Sequence, residues 1–339
     1  MIVVTGSTGL LGSHLLLELV RNNKPVRALI RKESRPEKIL TVWKHYLDDP
    51  GFYLEKVEWV PADLTNRAEV FEALKNATML YHCAGKISFH PADKKEMHRM
   101  NVSLPGILVD ACLELGNIRL LHVSSIAAIG KSDREEFREE NGWPAGPQSY
   151  YSRTKTLGEL EIWRGILEGL NAVIINPSVI LGPGDWKRSS ARIFDTIYRG
   201  LKYYTLGQTG FVDVQDVVQV MILLMESAIS GERYIVNAEN LSYKALFDKI
   251  AYALKVKAPC KYADRRITSL GWRMESLKYF FTGIEPRITR QSADTSHRKQ
   301  AYSSEKLIEL NGFRFRPIDD SITRIAQDYL RDVSLRNQY

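Results

Sequence analysis

The sequence has no apolar run long enough to cross a membrane. Its longest, Val217 to Met225, is interrupted by Gln219 and falls far short of the roughly 18 residues a spanning helix needs. It has only three cysteines, Cys83, Cys112 and Cys260, widely spaced and with no C-x-x-C pair. That excludes a disulfide framework and a cysteine-based zinc site, fits a reducing compartment, and leaves all three as expected packing residues. There is no internal repeat and no low-complexity segment. With Gly 22 and Pro 13 in 339 residues, collagen and disorder are excluded as well. The 44% hydrophobic and 26% charged composition predicts a soluble globular chain with a well-buried core. No basic n-region precedes an h-region, and the chain opens directly on Met1-Ile2-Val3-Val4-Thr5-Gly6. A cytoplasmic location without stable membrane insertion is expected.

Nor is charge of one sign in short supply: 47 basic residues face 40 acidic ones, a net +7. Such an excess suits an anionic ligand, a nucleic acid or a membrane surface, and the distribution decides. From Asp264 to Lys299, eight basic residues (Arg265, Arg266, Arg273, Lys278, Arg287, Arg290, Arg298 and Lys299) are mixed with Asp264, Glu275, Glu285 and Asp294. This reads as a solvated face, and no nucleic-acid partner is expected.

What is present is alternation. Ile2–Thr5 is a β-branched run, and Leu10, Leu11, Leu15, Leu16 and Leu19 then recur at helical spacing until Arg21–Pro25 stops the helix. Val26–Ile30, Val57–Val60, Ala77–His82, Leu120–Ser124 and Ala172–Asn176 read as further strands separated mostly by helices. Strand–helix alternation predicts an α/β fold, a Rossmann-type doubly wound parallel sheet. After Pro177 come a turn at Gly182–Asp185, a helix over Ala191–Gly200, a short strand Phe211–Val214, a helix from Asp216 to about Glu226, and a strand Tyr234–Asn237. The expected division is a dinucleotide-binding domain over 1–178 with 209–238, and a smaller, mostly helical substrate lobe over 179–208 with 239–339.

Thr5-Gly6-Ser7-Thr8-Gly9-Leu10-Leu11-Gly12 joins the first strand to the first helix. Gly6 suits the tight turn, Gly9 an approach to pyrophosphate and Gly12 close helix packing, while the helix N-terminus offers N–H groups to an anion. The second strand ends in Arg31-Lys32, where an NAD enzyme would carry an acid for the ribose 2′-hydroxyl. A guanidinium there can clamp a 2′-phosphate, so NADP is expected ahead of NAD. Asp63-Leu64 after the third strand is a candidate seat for adenine.

Tyr151 and Lys155 stand four apart and share one helical face, where an ammonium favours the phenolate and makes the tyrosine a usable acid or base. Tyr198 with Lys202 and Tyr302 with Lys306 repeat the spacing, so spacing alone is poor evidence. Only the first pair follows a strand ending in Val123-Ser124-Ser125, at the sheet edge near the glycine loop.

Thr5–Gly12, Asp63-Leu64, His82-Cys83-Ala84-Gly85, Asn101-Val102, Val123–Gly130, Tyr151–Lys155 and Asn176-Pro177-Ser178 together resemble the extended short-chain dehydrogenase/reductase family, in order from Met1 to about Ala238. The resemblance implies that Tyr151 is the acid or base, that Lys155 lowers its pKa and holds the nicotinamide ribose, and that a serine binds the reacting oxygen. Ser-to-Gly spacing carries that last role to Ser125, with Ser124 as the fallback. It further implies that Ala84-Gly85 line the cofactor trough, that Asn101 supports the site, that Pro177 lies beside the nicotinamide, and that the chain forms a homodimer. Arg31 resembles the NADPH-preferring dihydroflavonol-reductase-like branch. Gly207–Phe211 has no arginine where the nucleotide-sugar branch usually carries one. The leading expectation is thus an NADPH-dependent reductase of a ketone or aldehyde, or the reverse alcohol dehydrogenase. The rivals are an NAD-dependent nucleotide-sugar epimerase or dehydratase, and a non-catalytic NADP-sensing or nucleic-acid-binding regulator.

Weaker signals remain. His82, His90 and His98 recur every eight residues, but Pro91 interrupts them and no ligand set is completed, so no metal is expected. Phe89 and His90 are placed either at the substrate border or on an exposed loop. Leu270–Phe281, apolar with Arg273 and Lys278 interspersed, reads first as packing or pocket lining and second as an interfacial helix.

Overall fold

The computed structural model describes residues 1–339 apart from 89, 131–135, 145–147, 283–288 and 337–339, with backbone alone at 91, 277, 278, 280–282, 311 and 336. Its principal strands are β1 Ile2–Thr5, β2 Val26–Ile30, β3 Val57–Pro61, β4 Met79–His82, β5 Arg119–Val123, β6 Ala172–Pro177, β7 Val179–Leu181, β8 Gln208–Asp213, β9 Glu232–Val236 and β10 Glu239–Ser242. The helices that matter below are α1 Leu10–Arg21, α2 Leu104–Leu115, α3 Tyr150–Leu167, α4 Val214–Glu226, α5 Tyr243–Ala253, α6 Arg265–Thr282 and α7 Ile318–Arg336.

Seven strands form one parallel sheet in the order β9-β6-β5-β4-β1-β2-β3. Because side chains alternate across a strand, each strand feeds two cores. Val4, Ala28, Tyr81, Leu121 and Val173 join the cluster under α1 and α4, while Val3, Leu29, Leu80, Leu120 and Ile174 join the cluster under α2. Burial on both faces is why these strands read as continuous apolar runs. The order reverses between β1 and β4, so the loops that leave their carboxyl ends diverge and open a crevice there.

Phe211 and its neighbours depart from the expected short run. β8 is six residues long and lies outside the central sheet, parallel to β7 and antiparallel to β10 in a three-stranded sheet. Asp213 ends it and caps α4 by accepting from Gln215 N at 2.8 Å, so that helix begins at Val214, not Asp216. A third core, with Trp186, Phe194, Phe211, Leu246, Ile250, Ile322 and Tyr329, packs α5 and α7 onto this sheet. Of the cysteines, Cys112 is buried and Cys83 partly so, but Cys260 is exposed. It lies between α5 and the short strand Lys261–Tyr262, and its exposure corrects its expected packing role.

α7 is tied back to the first half of the chain by a buried ion cluster. The His45 ring, 1% exposed, has Nδ1 3.5 Å from Asp328 and Nε2 3.4 Å from Asp332; Asp332 also forms an ion pair with Lys44 Nζ at 2.5 Å and accepts from Trp186 Nε1 at 2.8 Å. Burial alone would lower the His45 pKa, but the two aspartates outweigh it and raise it. The charged imidazole therefore stabilises the fold fully below the unfolded value of about 6.5, and the contribution is lost as pH rises through the raised folded value. His45→Gln is expected to cost about 1–3 kcal/mol near pH 6 and much less near pH 9. Melting curves at both pH values check this, and an equal loss at the two refutes it.

Candidate active site

The glycine loop is shaped by what it touches. Gly6 has φ +67°, and a Cβ there would stand 2.5 Å from Ala84 N; one on Gly12 would stand 2.3 Å from the Gly6 carbonyl oxygen. The loop thus packs directly on the strand end that follows β4, and α1 packs on the loop. No side chain caps α1, and its first turn carries no acid, so its N-terminus keeps its partial positive charge for an anion. Thr8 and Gly9 are exposed, whereas the Leu11 side chain is drawn into the core, so what Leu11 offers a ligand is its backbone.

Around this crevice lie the other expected cofactor contacts. Arg31, at the end of β2, is half exposed with a loose ion pair to Glu96 at 3.5 Å, a carboxylate that Lys86 also holds. Leu64 is buried, and the exposed Asp63 turns its carboxylate onto Thr65, accepting from N at 2.9 Å and from Oγ1 at 2.8 Å. Ala84 N donates to Thr5 Oγ1 at 3.2 Å, and a Cβ on Gly85 would stand 3.4 Å from Asn101 Oδ1 and 3.9 Å from Lys155 Nζ. Asn101 sits in a π-helical turn, Arg99–Ser103, accepting from Lys86 N at 2.8 Å and donating to Thr154 Oγ1 at 3.1 Å. Pro177 ends β6 and is buried.

Ser149 caps α3 by accepting from Ser152 N, which starts the helix just ahead of Tyr151. Tyr151 is hydrogen-bonded to Ser125, whose Oγ also accepts from Ala127 N at 3.1 Å. Ser124 is engaged elsewhere: its Oγ donates to Glu159 Oε2 at 2.7 Å. The geometry therefore brings Ser125, and not Ser124, to the phenol. Lys155, 6% exposed, donates from Nζ to the Val123 carbonyl at 2.8 Å. Burial raises the Tyr151 pKa, the Ser125 hydrogen bond acting against it, and burial lowers Lys155 to about 8 against the opposing pull of Glu159.

Two residues packed beneath the site escaped the sequence reading. Glu159, fully buried, pairs with Arg233 Nη1 at 2.8 Å and accepts from Asn176 Nδ2 at 2.8 Å; Asn176 Nδ2 also donates to the Ser125 carbonyl at 3.0 Å. Arg233 donates onward to the carbonyls of Glu139, at 3.1 Å from Nε, and Gly142, at 3.0 Å from Nη2. The legible signal was the recurrence of the four-residue step, Tyr151 to Lys155 to Glu159. Beneath Lys155 the rings of His82 and His122 lie 5.1 Å apart; burial and then Lys155 lower His82 to about 3 and His122 well below its ordinary value, so both are neutral.

Tyr151 opens on a cavity of about 1480 Å³ lined by Tyr150, Phe137, Tyr243, Trp272, Tyr279 and Tyr302, with Arg265, Arg290 and Arg298 among them. The basic segment read as a solvated face thus partly faces this cavity, because α6 and the following helix Arg290–Thr295 form its wall. Of the spaced histidines, His82 is buried against Thr5, while His90 lines the cavity with its ring 4.5 Å from that of Tyr279. Phe89, Glu285 and Arg287 lie outside the described residues.

A profile of the NAD dependent epimerase/dehydratase family matches residues 2–237. The chain belongs to that family. Members of this extended short-chain dehydrogenase/reductase type are NAD(P)-dependent oxidoreductases, and this chain is one, taking a nicotinamide dinucleotide. It is 32% identical over 243 residues to sterol demethylase protein B of Methylococcus capsulatus, covering 70% of each chain. It is 27% identical to a putative dihydroflavonol 4-reductase of Synechocystis over 90% of this chain and 88% of the relative. Among solved structures, gox2253 superposes with TM-score 0.78 at 27% identity over 98% of both chains. The dTDP-glucose 4,6-dehydratase of Streptomyces venezuelae, with NAD bound, superposes with TM-score 0.76 at 18% identity over 98% of both chains, a likeness of fold alone.

Within this family member the Glu159–Arg233 pair is expected to be costly to break and cheap to replace whole. Glu159→Gln leaves a buried guanidinium without its counter-charge and should lower stability by about 3–5 kcal/mol, whereas Glu159→Gln with Arg233→Met should recover at least about half of that loss. Urea denaturation of the two single variants and the double variant reads the coupling. Simple additivity would mean that the pair is not coupled.

Proposed function

We propose that this oxidoreductase reduces a ketone or aldehyde with NADPH, or runs the reverse alcohol oxidation, through Ser125, Tyr151 and Lys155. The observation that carries the reading is the Tyr151–Ser125 hydrogen bond beside the aromatic cavity that Tyr151 lines, with Lys155 one helical turn further along. Nicotinamide, when bound, supplies or accepts the hydride. Ser125 orients and polarises the substrate oxygen, and Tyr151, whose raised pKa keeps it protonated at neutral pH, donates the proton that the reduced oxygen takes up. Lys155, next to Gly85, is placed to hold the nicotinamide ribose. Gly6, Thr8, Gly9, Leu10, Leu11 and Gly12 would hold the pyrophosphate, Asp63 and Leu64 the adenine, and Ala84, Gly85 and Pro177 the nicotinamide side. Arg31, only loosely paired and half exposed, would take the 2′-phosphate that distinguishes NADPH. In this division residues 1–178 with 209–238 serve the cofactor and 179–208 with 239–339 the substrate. The ring-lined cavity suits a bulky ring-bearing substrate, and the 32% identical relative is named for sterol demethylation.

Tyr151→Phe is expected to lower kcat on a panel of ring ketones by about 10³-fold while NADPH affinity stays within about threefold. Wild-type turnover in that variant removes Tyr151 from the chemistry. Arg31→Ala should weaken NADPH binding by about tenfold or more and leave NADH binding nearly unchanged; NADH binding as tight as NADPH in the wild type, by matched fluorescence titrations, overturns the NADPH assignment.

A further inference from the structure

α6 has two faces with different surroundings. At about 100° of turn per residue, Arg265, Thr268, Ser269, Trp272, Ser276 and Tyr279 fall on one side, and these residues line the cavity. Ile267, Leu270 and Met274 fall on the opposite side, where they are 44%, 60% and 64% exposed. A surface helix ordinarily buries its apolar stripe and wets its polar one, and here the arrangement is reversed. Arg266 and Arg273 are exposed beside the stripe. The chain leading into α6 carries exposed Lys255, Lys257 and Lys261, and Tyr252 and Tyr262 on the same stretch are 88% and 46% exposed. Between residues 252 and 275 the only acids are Asp264 and Glu275.

We propose that this outer face of α6 docks peripherally on an anionic lipid bilayer, with Ile267, Leu270 and Met274 entering the headgroup boundary and Arg266, Arg273 and the preceding lysines meeting lipid phosphates. Charge complementarity selects this occupant. An apolar stripe flanked by cations matches the acyl boundary and negative potential of an anionic leaflet. A second copy of the chain docking by the same face would set the same basic excess against itself. An acidic peptide would satisfy the cations without covering the stripe as a bilayer does. The inference stands on this surface and not on the redox reading.

The test is sedimentation of the full chain with vesicles of phosphatidylcholine alone and of phosphatidylcholine with about one-third phosphatidylglycerol, at about 0.05 M and about 0.5 M salt. Binding is expected to the anionic vesicles at low salt, falling about tenfold at high salt and on neutral vesicles. Leu270→Glu with Met274→Glu, both at exposed positions, should weaken it about tenfold or more at unchanged melting temperature, and Arg266→Glu with Arg273→Glu should do the same independently. No sedimentation of the wild type with anionic vesicles overturns the proposal. So does undiminished binding of both double variants, or a dimer in light scattering that Leu270→Glu with Met274→Glu dissolves while wild-type lipid binding is absent.

Discussion

The buried Glu159–Arg233 ion pair, 2.8 Å between Oε1 and Nη1, is the interaction around which much of the candidate site is arranged. A carboxylate taken out of water costs several kcal/mol unless its lone pairs are met by charge and hydrogen bonds. The donors that meet it come from separate elements: Ser124 from the end of β5, Asn176 from the end of β6, and Arg233 from β9. One side chain on α3 therefore ties together three adjacent strands of the parallel sheet. Asn176 passes the constraint to the Ser125 carbonyl, and Arg233 passes it to the 139–142 turn, whose neighbours Phe137 and Pro144 line the cavity. The serine that meets Tyr151 and one wall of the cavity thus depend on the same buried charge.

The central sheet was legible because its strands are buried on both faces. A run such as Val26–Ile30 has no polar side to disguise it, and the sequence reading and the structure agree on its limits. The site was legible where chemistry requires rare geometry, as at Gly6 and Gly12, whose missing side chains leave room for Ala84 and for the Gly6 carbonyl. What stayed hidden was non-local. That β8 leaves the main sheet depends on its partners at Val179–Leu181 and Glu239–Ser242, which no feature of Phe211–Val214 announces. Arg233 and Glu159 carried no sequence signal of their own, because a buried ion pair is recognised only once its two members, 74 residues apart, are known to meet. Cys260 failed in the opposite direction: an apolar residue type was assigned to the interior, and the turn after α5 leaves it outside.

Burial acts on Tyr151 and Lys155 in one sense, against charge. It lifts the phenol and brings the ammonium down to about 8, so the phenol holds its proton more tightly and the lysine less tightly than either does in water. The neutral His82 and His122 beneath add no charge of their own, which leaves Glu159 as the counter-charge that acts on Lys155. A protonated phenol touching a serine hydroxyl is already in the state needed to donate to an oxygen that gains electron density, whereas a base would first have to shed that proton at an energetic cost of about 1.4 kcal/mol per pKa unit above ambient pH. The protonated phenol thus matches the donor role proposed for Tyr151.

The reversed amphipathicity of α6 gives the cavity a second significance. One helix, about 10 Å across, separates the lining residues Trp272 and Tyr279 from the exposed stripe of Ile267, Leu270 and Met274. An apolar ring compound that had to reach Tyr151 through water would give up about 0.8 kcal/mol for each methylene exposed on the way. Its concentration in the aqueous phase would fall accordingly, and with it the rate of encounter. A cavity wall seated at a lipid boundary would keep the site close to the phase in which such a compound concentrates. The same basic residues that would hold the lobe at the boundary keep it at the surface, because burying an unpaired guanidinium in hydrocarbon is far more costly than leaving it among phosphates.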